Sequence, residues 1–572
     1  MVDSISQDVL IIGSGLAGLR AAIASAATDK KLDIAVVSKV QVMRSHSVSA
    51  EGGTAAVLFE EEGDDRESHI YDTIKGSDFL ADQDVAERLV YNMPYEIYQL
   101  DHWGMPWSRK NDGRIAQRNF GGYSFPRATY AQDKVGFYEM QTLYDTSLKF
   151  DNIQFYNEWF CTSILTDDEG SFRGVTAIEM KTGNFFKLLA PACIICTGGA
   201  GRLYSFSTYA YSSTPDGLDM AYRAGVALKD MEFVQFHPTG ILPSGILLTE
   251  GARGEGGYLI NSAGERFMKK YAPEKLELAS RDVVSRSMIH EMLEGRSFKH
   301  ESGADCLKLD LRHLGADIIK ERLGGIRDIG IKFSGIDVID EPIEVRPVCH
   351  YMMGGIHTNI DGATEMKGLW AAGEAACNST HGANRLGANS TSECLVWGRI
   401  TGELAARYAS SNKSSSTSVS PHQVSEEEKR IYDGIFRGSG EVNPYQLRKD
   451  LTDTMDAKAY VFRNEEGLQE GLRKVAELKQ MSWRHVDDKA KEYNTNFTNV
   501  METDSILRIA EIVLMGALTR RESRGAHART DYPTRDDVNF LKHTLAYYSE
   551  QSPKLCWYPV TITRYVPTER KY

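Results

Sequence analysis

The chain has 572 residues, 42% hydrophobic and 25% charged, and its 66 Lys and Arg against 79 Asp and Glu give a net charge of −13. That length should hold three or four domains, and the ordinary apolar share needs no disulfide or metal to support a core. No long basic stripe is present, so a nucleic-acid partner is not expected, and no apolar run approaches the ~18 residues of a membrane-spanning helix. Met1 to Gln7 is short and polar, without a secretory or transit pattern, which places the expected protein on the cytoplasmic side, reaching a membrane only through partners.

The first element is the apolar, β-branched run Val9 to Ile12, which predicts a strand. Gly13-Ser14-Gly15-Leu16-Ala17-Gly18 follows as a GxGxxG turn, and the Ala-rich stretch from Leu16 to Ala27 predicts a helix. Gly13 permits the tight turn, Gly15 lets a pyrophosphate approach the backbone, and Gly18 allows close helix–strand packing. With the second strand at Ile34 to Val37, this is the βαβ opening of a doubly wound dinucleotide fold. The second strand ends in Val37-Ser38-Lys39, without the acid that a nicotinamide ribose usually meets, which leaves a flavin reading open.

Two further strand-then-glycine junctions occur at Thr197-Gly198-Gly199 and Ala371-Ala372-Gly373-Glu374. They predict one nucleotide fold in two parts, 1–231 and 347–409, interrupted by an insertion at 232–346. The Ser-rich stretch 410–425 reads as a linker, 426–519 as helical and 520–572 as a charged C-terminal domain. The eight cysteines are scattered, and Cys193 and Cys196 lie in an apolar strand, where they read as structural; no metal ligand set is expected. The basic stretch Arg520 to Arg535 reads equally as a partner interface or a solvated face.

Taken alone, His46 is a polar loop histidine. Its neighbours change that. Arg44-Ser45-His46-Ser47 followed by Glu51-Gly52-Gly53 resembles the covalent-flavin segment of succinate dehydrogenase and fumarate reductase flavoprotein subunits. The resemblance continues in order through Phe236-His237-Pro238-Thr239-Gly240, Leu248 to Gly257, Arg281-Asp282, Cys349 to Gly355, His381 to Gly387 and Arg521 to His527. It implies an α/β fold: a doubly wound FAD-binding Rossmann-like domain with an inserted α+β capping domain, then a helical and a C-terminal domain.

The resemblance implies FAD linked covalently to His46, beside Ser45, Ser47, Gly52 and Gly53, with further contacts at Ser38, Lys39, Asp216, Glu374 and Ser390. It implies a four-carbon dicarboxylate held by Phe120, His237, Thr249, His350 and Arg385, the last gripping a carboxylate through its planar fork. Proton transfer falls to Arg281, with Glu250 and Arg253 as a relay. It further implies succinate oxidation coupled to a separate iron–sulfur subunit and membrane-anchor subunits, with fumarate reduction as the reverse alternative. An L-aspartate oxidase would lack the flavin-linking histidine, and a non-catalytic flavin carrier would not need His237, Thr249, His350, Arg281 and Arg385 together. Ala388, where the family often has glycine, and the short Tyr123 to Arg127 segment depart from the family pattern.

Overall fold

The computed structural model describes residues 2–412 and 419–571. The three strand-then-glycine junctions meet in one five-stranded parallel sheet, in the order Leu369–Ala371, Ala192–Ile195, Val9–Ile12, Ile34–Ser38, Ile153–Asn157. Val9–Ile12 and Ile34–Ser38 are buried along their whole length, which explains why their sequences run apolar without alternation. Helices Leu16–Thr28 and Asn389–Ser411 pack against each other over this sheet. Cys193 is buried within its strand and Cys196 directly after it. A second sheet of Asp3–Ser6, Asn184–Leu189, Phe172–Glu179 and Trp159–Thr166 flanks the first part.

Between the two parts of the parallel sheet, the chain forms an antiparallel sheet of Val234–Ile241, Ile343–Met352, Asp305–Asp310 and Tyr258–Ile260. It has its own apolar core, including Leu248, Leu259, Met288, Leu307 and Ile343. Helix Arg281–Leu293 lies on Val234–Ile241, where the Ser285 hydroxyl donates to the Phe236 carbonyl at 2.7 Å. The strand Ile343–Met352 runs across residue 346, so the insertion and the second part of the flavin fold share it.

Helices Pro444–Lys458, Glu465–Gln480 and Thr495–Thr519 each start at an Asn whose side chain accepts from first-turn amides: Asn443, Asn464 and Asn494. Helices Asn389–Ser411 and Pro421–Ile431 reach into the expected 410–425 linker, of which 413–418 lie outside the described residues. The basic stretch is not the solvated face the sequence left open. Arg520, Arg524 and Arg529 are almost fully buried, with Arg520 Nε donating to Glu232 at 2.8 Å and Arg524 Nε to Glu522 at 2.8 Å.

Candidate active site

The glycine turn sets the first wall of the site. Gly13 has φ +107°, and a Cβ there would stand 2.2 Å from the Cys196 carbonyl oxygen. A Cβ on Gly18 would lie 1.9 Å from the Gly13 carbonyl oxygen, so the helix could not follow the strand as closely. Helix Leu16–Thr28 has no side-chain cap of its own. Its Leu16 amide donates across to the Ser47 hydroxyl at 3.3 Å, which docks the Ser45–Ser47 segment on the turn. An uncapped helix start facing a cavity is an anion site.

His46 stands beside this turn. Its Nδ1 accepts from the Ala210 amide at 3.4 Å and lies 3.2 Å from the Ser49 hydroxyl, while Nε2 makes no hydrogen bond among the described residues. Burial, aided by Arg202, lowers its pKa to about 4, so the ring is neutral at pH 7. Tyr209 stacks on the ring at 5.2 Å, and its hydroxyl donates to Glu374. The Glu374 carboxylate also accepts from the Met352 amide at 2.9 Å, and burial raises its pKa to about 7. Further along, Lys39 Nζ donates to Asp216 at 2.7 Å and Glu502 at 2.8 Å, and the Ser14 hydroxyl to Ser38 at 2.8 Å.

The other end of the cavity is charged and dry. Arg281 Nε donates to Glu250 at 2.7 Å, and the Gly121 amide donates to the other Glu250 oxygen at 2.5 Å. Burial alone would raise the Glu250 carboxyl, but Arg281 and Arg253 overcome it and hold it below its usual range. Arg253 Nη2 lies 3.8 Å from Glu250, behind it. Arg281 and Arg385 donate to the same Gln235 oxygen, at 3.1 and 3.2 Å. Arg385 also donates to Ser390 at 3.0 Å and lies 4.2 Å over the Tyr351 ring. Burial and then Arg281 lower its pKa to about 10.

Two β-bulges aim the histidines. Gln235 pairs with Tyr351 but Phe236 with Cys349, which leaves His350 as the extra residue. Pairing then passes from His237–Val348 to Gly240–Arg346, placing an extra residue beside His237. The rings lie 5.0 Å apart, and both pKa values fall well below normal through burial and then Arg281. The Thr239 amide donates to His237 Nδ1 at 3.2 Å, so the ring proton sits on the buried Nε2, which has no partner among the described residues. Thr249 and Phe120 complete the wall, each almost fully buried.

The sequence-predicted site residues line this one cavity, of about 370 Å³, with two exceptions. Gly18 sits under the turn as a packing residue, and Arg253 stands one layer back, behind Glu250. Sequence reasoning missed Gln235, Tyr351, Tyr209 and Glu502. Gln235 could have been found, since it lies two residues before His237 on the same strand and so shares its face. Tyr209 and Glu502 carry no local signal.

These residues fit a flavin dinucleotide: an uncapped helix start for the pyrophosphate, a buried Asp216 oxygen with no partner among the described residues, and a neutral histidine with a free nitrogen. Residues 8–391 match the family described as FAD binding domain, and 448–572 that described as Fumarate reductase flavoprotein C-term. The chain is 45% identical over 581 residues to the fumarate reductase flavoprotein subunit of Mycobacterium tuberculosis, with 99% of each covered. It is 43% identical to the succinate dehydrogenase flavoprotein subunit of Rickettsia bellii, over 97% of this chain and 95% of that one. It superposes on E. coli quinol fumarate reductase FrdA with TM-score 0.96 at 41% identity, 99% of both chains covered. On Mycobacterium smegmatis Sdh1 the TM-score is 0.86 at 34% identity, covering 99% of this chain and 96% of that one. The chain belongs to the fumarate reductase and succinate dehydrogenase flavoprotein family, and is an FAD-dependent oxidoreductase.

Proposed function

We propose that this chain is the flavoprotein subunit of a succinate dehydrogenase, converting succinate to fumarate with FAD joined to His46 Nε2. One observation carries the reading: the buried cations Arg281 and Arg385 share the Gln235 oxygen at 3.1 and 3.2 Å, in the cavity that also holds His46 and the glycine turn. Three guanidiniums, Arg253, Arg281 and Arg385, against the single Glu250 carboxylate leave positive charge for a dianion to neutralise.

Bound FAD supplies the hydride acceptor. Arg385 grips one carboxylate through its fork. His237 and His350 are neutral, so they serve as N–H donors and add no charge; the His237 proton on Nε2 already points into the site. Thr249 and Phe120 fix the orientation and exclude water. Arg281 moves the substrate proton, and Glu250 and Arg253 relay it, since Glu250 touches Arg281 at 2.7 Å with Arg253 3.8 Å behind. A guanidinium is a poor base because it normally stays protonated. The Glu250 carboxylate, held ionised by Arg281 and Arg253, is the partner through which that proton can leave.

Electrons leave to an iron–sulfur subunit, with anchor subunits beyond it, at the cytoplasmic face of the membrane. Solved relatives are named as quinol fumarate reductases, which supports an electron path between this chain and a quinone. No helix among the described residues is long and apolar enough to cross a membrane. The greater likeness to E. coli quinol fumarate reductase than to M. smegmatis Sdh1 favours a second reading, fumarate reduction as the working direction.

The test is a denaturing acid gel under ultraviolet light, beside assays of succinate oxidation and fumarate reduction. A fluorescent band at this chain's mass, lost in His46→Ala, with turnover in both assays, is expected. A yellow folded protein without a fluorescent band, and no turnover of either acid, would discard the reading.

A further inference from the structure

The irregular segment after strand Lys554–Pro559 runs along the flavin fold and is pinned by one side chain. The Gln83 carboxamide oxygen accepts from the amides of Thr563, Arg564 and Tyr565 at 3.1, 2.8 and 3.0 Å, and its nitrogen donates to the Tyr565 carbonyl at 2.7 Å. Further on, Arg535 Nη2 donates to the Thr568 carbonyl at 2.9 Å and Lys75 Nζ to the Lys571 carbonyl at 3.2 Å.

This path delivers Arg570 between two carboxylates from different parts of the fold. Its Nη2 lies 3.0 Å from Asp78 Oδ2 and 2.7 Å from Asp282 Oδ2. Asp78 follows helix Arg66–Gly76 of the flavin fold, whereas Asp282 is the second residue of helix Arg281–Leu293 in the insertion. The cluster is dry: the Arg570 side chain is 9% exposed, Asp78 7% and Asp282 0%. The other partners of Asp282, Ser280 and Arg286, belong to its own helix and cap; Arg286 in turn donates to the Gly525 carbonyl at 2.5 Å. Asp78 also meets Arg535 at 2.7 Å and the Gly525 amide at 2.8 Å.

We propose that Arg570 is a positioning residue for the dicarboxylate reaction: it clamps the first turn of the insertion helix onto the flavin fold and thereby holds Arg281 over the pocket. The inference rests on the functional reading above. Arg281 precedes Asp282 directly, so whatever fixes the Asp282 carboxylate fixes the start of the helix that carries the proton-transfer group. Without the Arg570 guanidinium, two buried carboxylates that shared one nitrogen face each other with less compensation, and like charges in a dry site repel. The helix start is the looser of the two: Asp78 keeps Arg535 directly, while Asp282 keeps an indirect tie through Arg286 to the Gly525 carbonyl. Its movement displaces Arg281 from Gln235 and Glu250 while leaving the glycine turn and His46 untouched.

The experiment uses the assembled holoenzyme, with covalent flavin quantified, in Arg570→Gln, Arg570→Lys and Asp78→Asn. Arg570→Gln is expected to lower kcat by ~10-fold and raise KM for succinate by a smaller factor, at full flavin content. Malonate affinity, followed by the perturbation of flavin absorbance, should change by less than kcat, since Arg385 keeps its grip. Arg570→Lys should stay within about threefold of wild type, since an ammonium can still sit between the two carboxylates. Asp78→Asn, which keeps the Arg570–Asp282 pair, should lower kcat by less. An Arg570→Gln enzyme with unchanged kcat overturns the inference alone. Equal loss of covalent flavin in all three variants overturns it too, by making the cluster a support of the fold. A wild type that neither oxidises succinate nor binds malonate overturns the functional reading and this inference with it.

Discussion

The glycine cradle at the flavin end of the cavity is made of backbone from one strand, turn and helix, while the dicarboxylate end is made of side chains spread from Phe120 to Arg385. At the first, Gly13 and Gly18 matter because a Cβ would strike carbonyl oxygens. At the second, Arg281, Glu250, Gln235 and Arg385 matter because each holds the next at 2.7 to 3.2 Å. A backbone cradle tolerates any neighbour that leaves the turn intact. A charge chain fails when one member leaves, since the remainder keeps its desolvation without its partner. The sharpest break should therefore come at Arg281. Arg281→Gln is expected to lower kcat by ~10³ while covalent flavin stays at wild-type level, measured by stopped-flow reduction with succinate. Near-full turnover with unchanged affinity in Arg281→Gln or Arg281→Lys would remove Arg281 from the proton path.

One methyl group can separate the two ends. A Cβ on Gly387 would lie 2.5 Å from the Phe120 ring, 2.9 Å from Arg281 Nη2 and 2.9 Å from Glu250 Oε2. Gly387→Ala should lower kcat/KM by ~10² with flavin retained, because it displaces Phe120, Arg281 and Glu250 at the dicarboxylate end. Gly18→Ala, with its clash against the Gly13 oxygen, should instead give chain without flavin. Equal flavin loss in both variants would mean that the two ends are one mechanical unit.

The same contrast sets what the sequence could disclose. The parallel sheet was legible because Val9 to Ile12 and Ile34 to Val37 are continuous apolar runs, and because glycines mark where each strand stops. GxGxxG could be read from spacing, since the turn is complete within six residues. The dicarboxylate pocket could not: Glu250 and Arg281 stand thirty-one residues apart, and Gln235 and Arg385 one hundred and fifty. Their pairing follows from a bulged sheet folding over a helix, so only the family resemblance pointed to Glu250, Arg281 and Arg385, and Gln235 was missed. Ser280 shows the limit at short range. It precedes helix Arg281–Leu293, as a cap should, but its hydroxyl donates to Asp282 and leaves the helix amides uncapped.

Gln235 tests whether neutrality between the two arginines is what selects a dianion. Gln235→Glu keeps the shape and places a carboxylate where Arg281 and Arg385 converge. The pocket would then lose part of its positive charge and hold the dianion less well, raising KM for succinate by ~10-fold to ~30-fold with a smaller change in kcat. An unchanged KM would show that Arg385 and the two histidines grip the dicarboxylate without help from the charge balance at Arg281.

The smallest effect belongs to the layer beneath both ends. Glu139, on helix Val135–Ser147, is fully buried; it accepts from the Thr54 hydroxyl at 2.5 Å, and Thr54 adjoins the Gly52–Gly53 segment. Burial raises its pKa from 4.5 to about 8. A folded-state pKa above the unfolded one means that the stability this carboxyl contributes is complete below about pH 4.5. It is then lost as pH rises, and is gone above about pH 8. The slope from this single group is at most ~1.4 kcal/mol per pH unit. Glu139→Gln keeps the acceptor for Thr54 and cannot ionise, so its urea midpoint should fall less than that of wild type between pH 6 and pH 8. At pH 8 it should exceed wild type by about 1 to 2 kcal/mol, while KM for succinate stays unchanged. If the two proteins lose stability in parallel over that range, Glu139 is already ionised at pH 6, and the layer under the cavity is wetter than its packing implies.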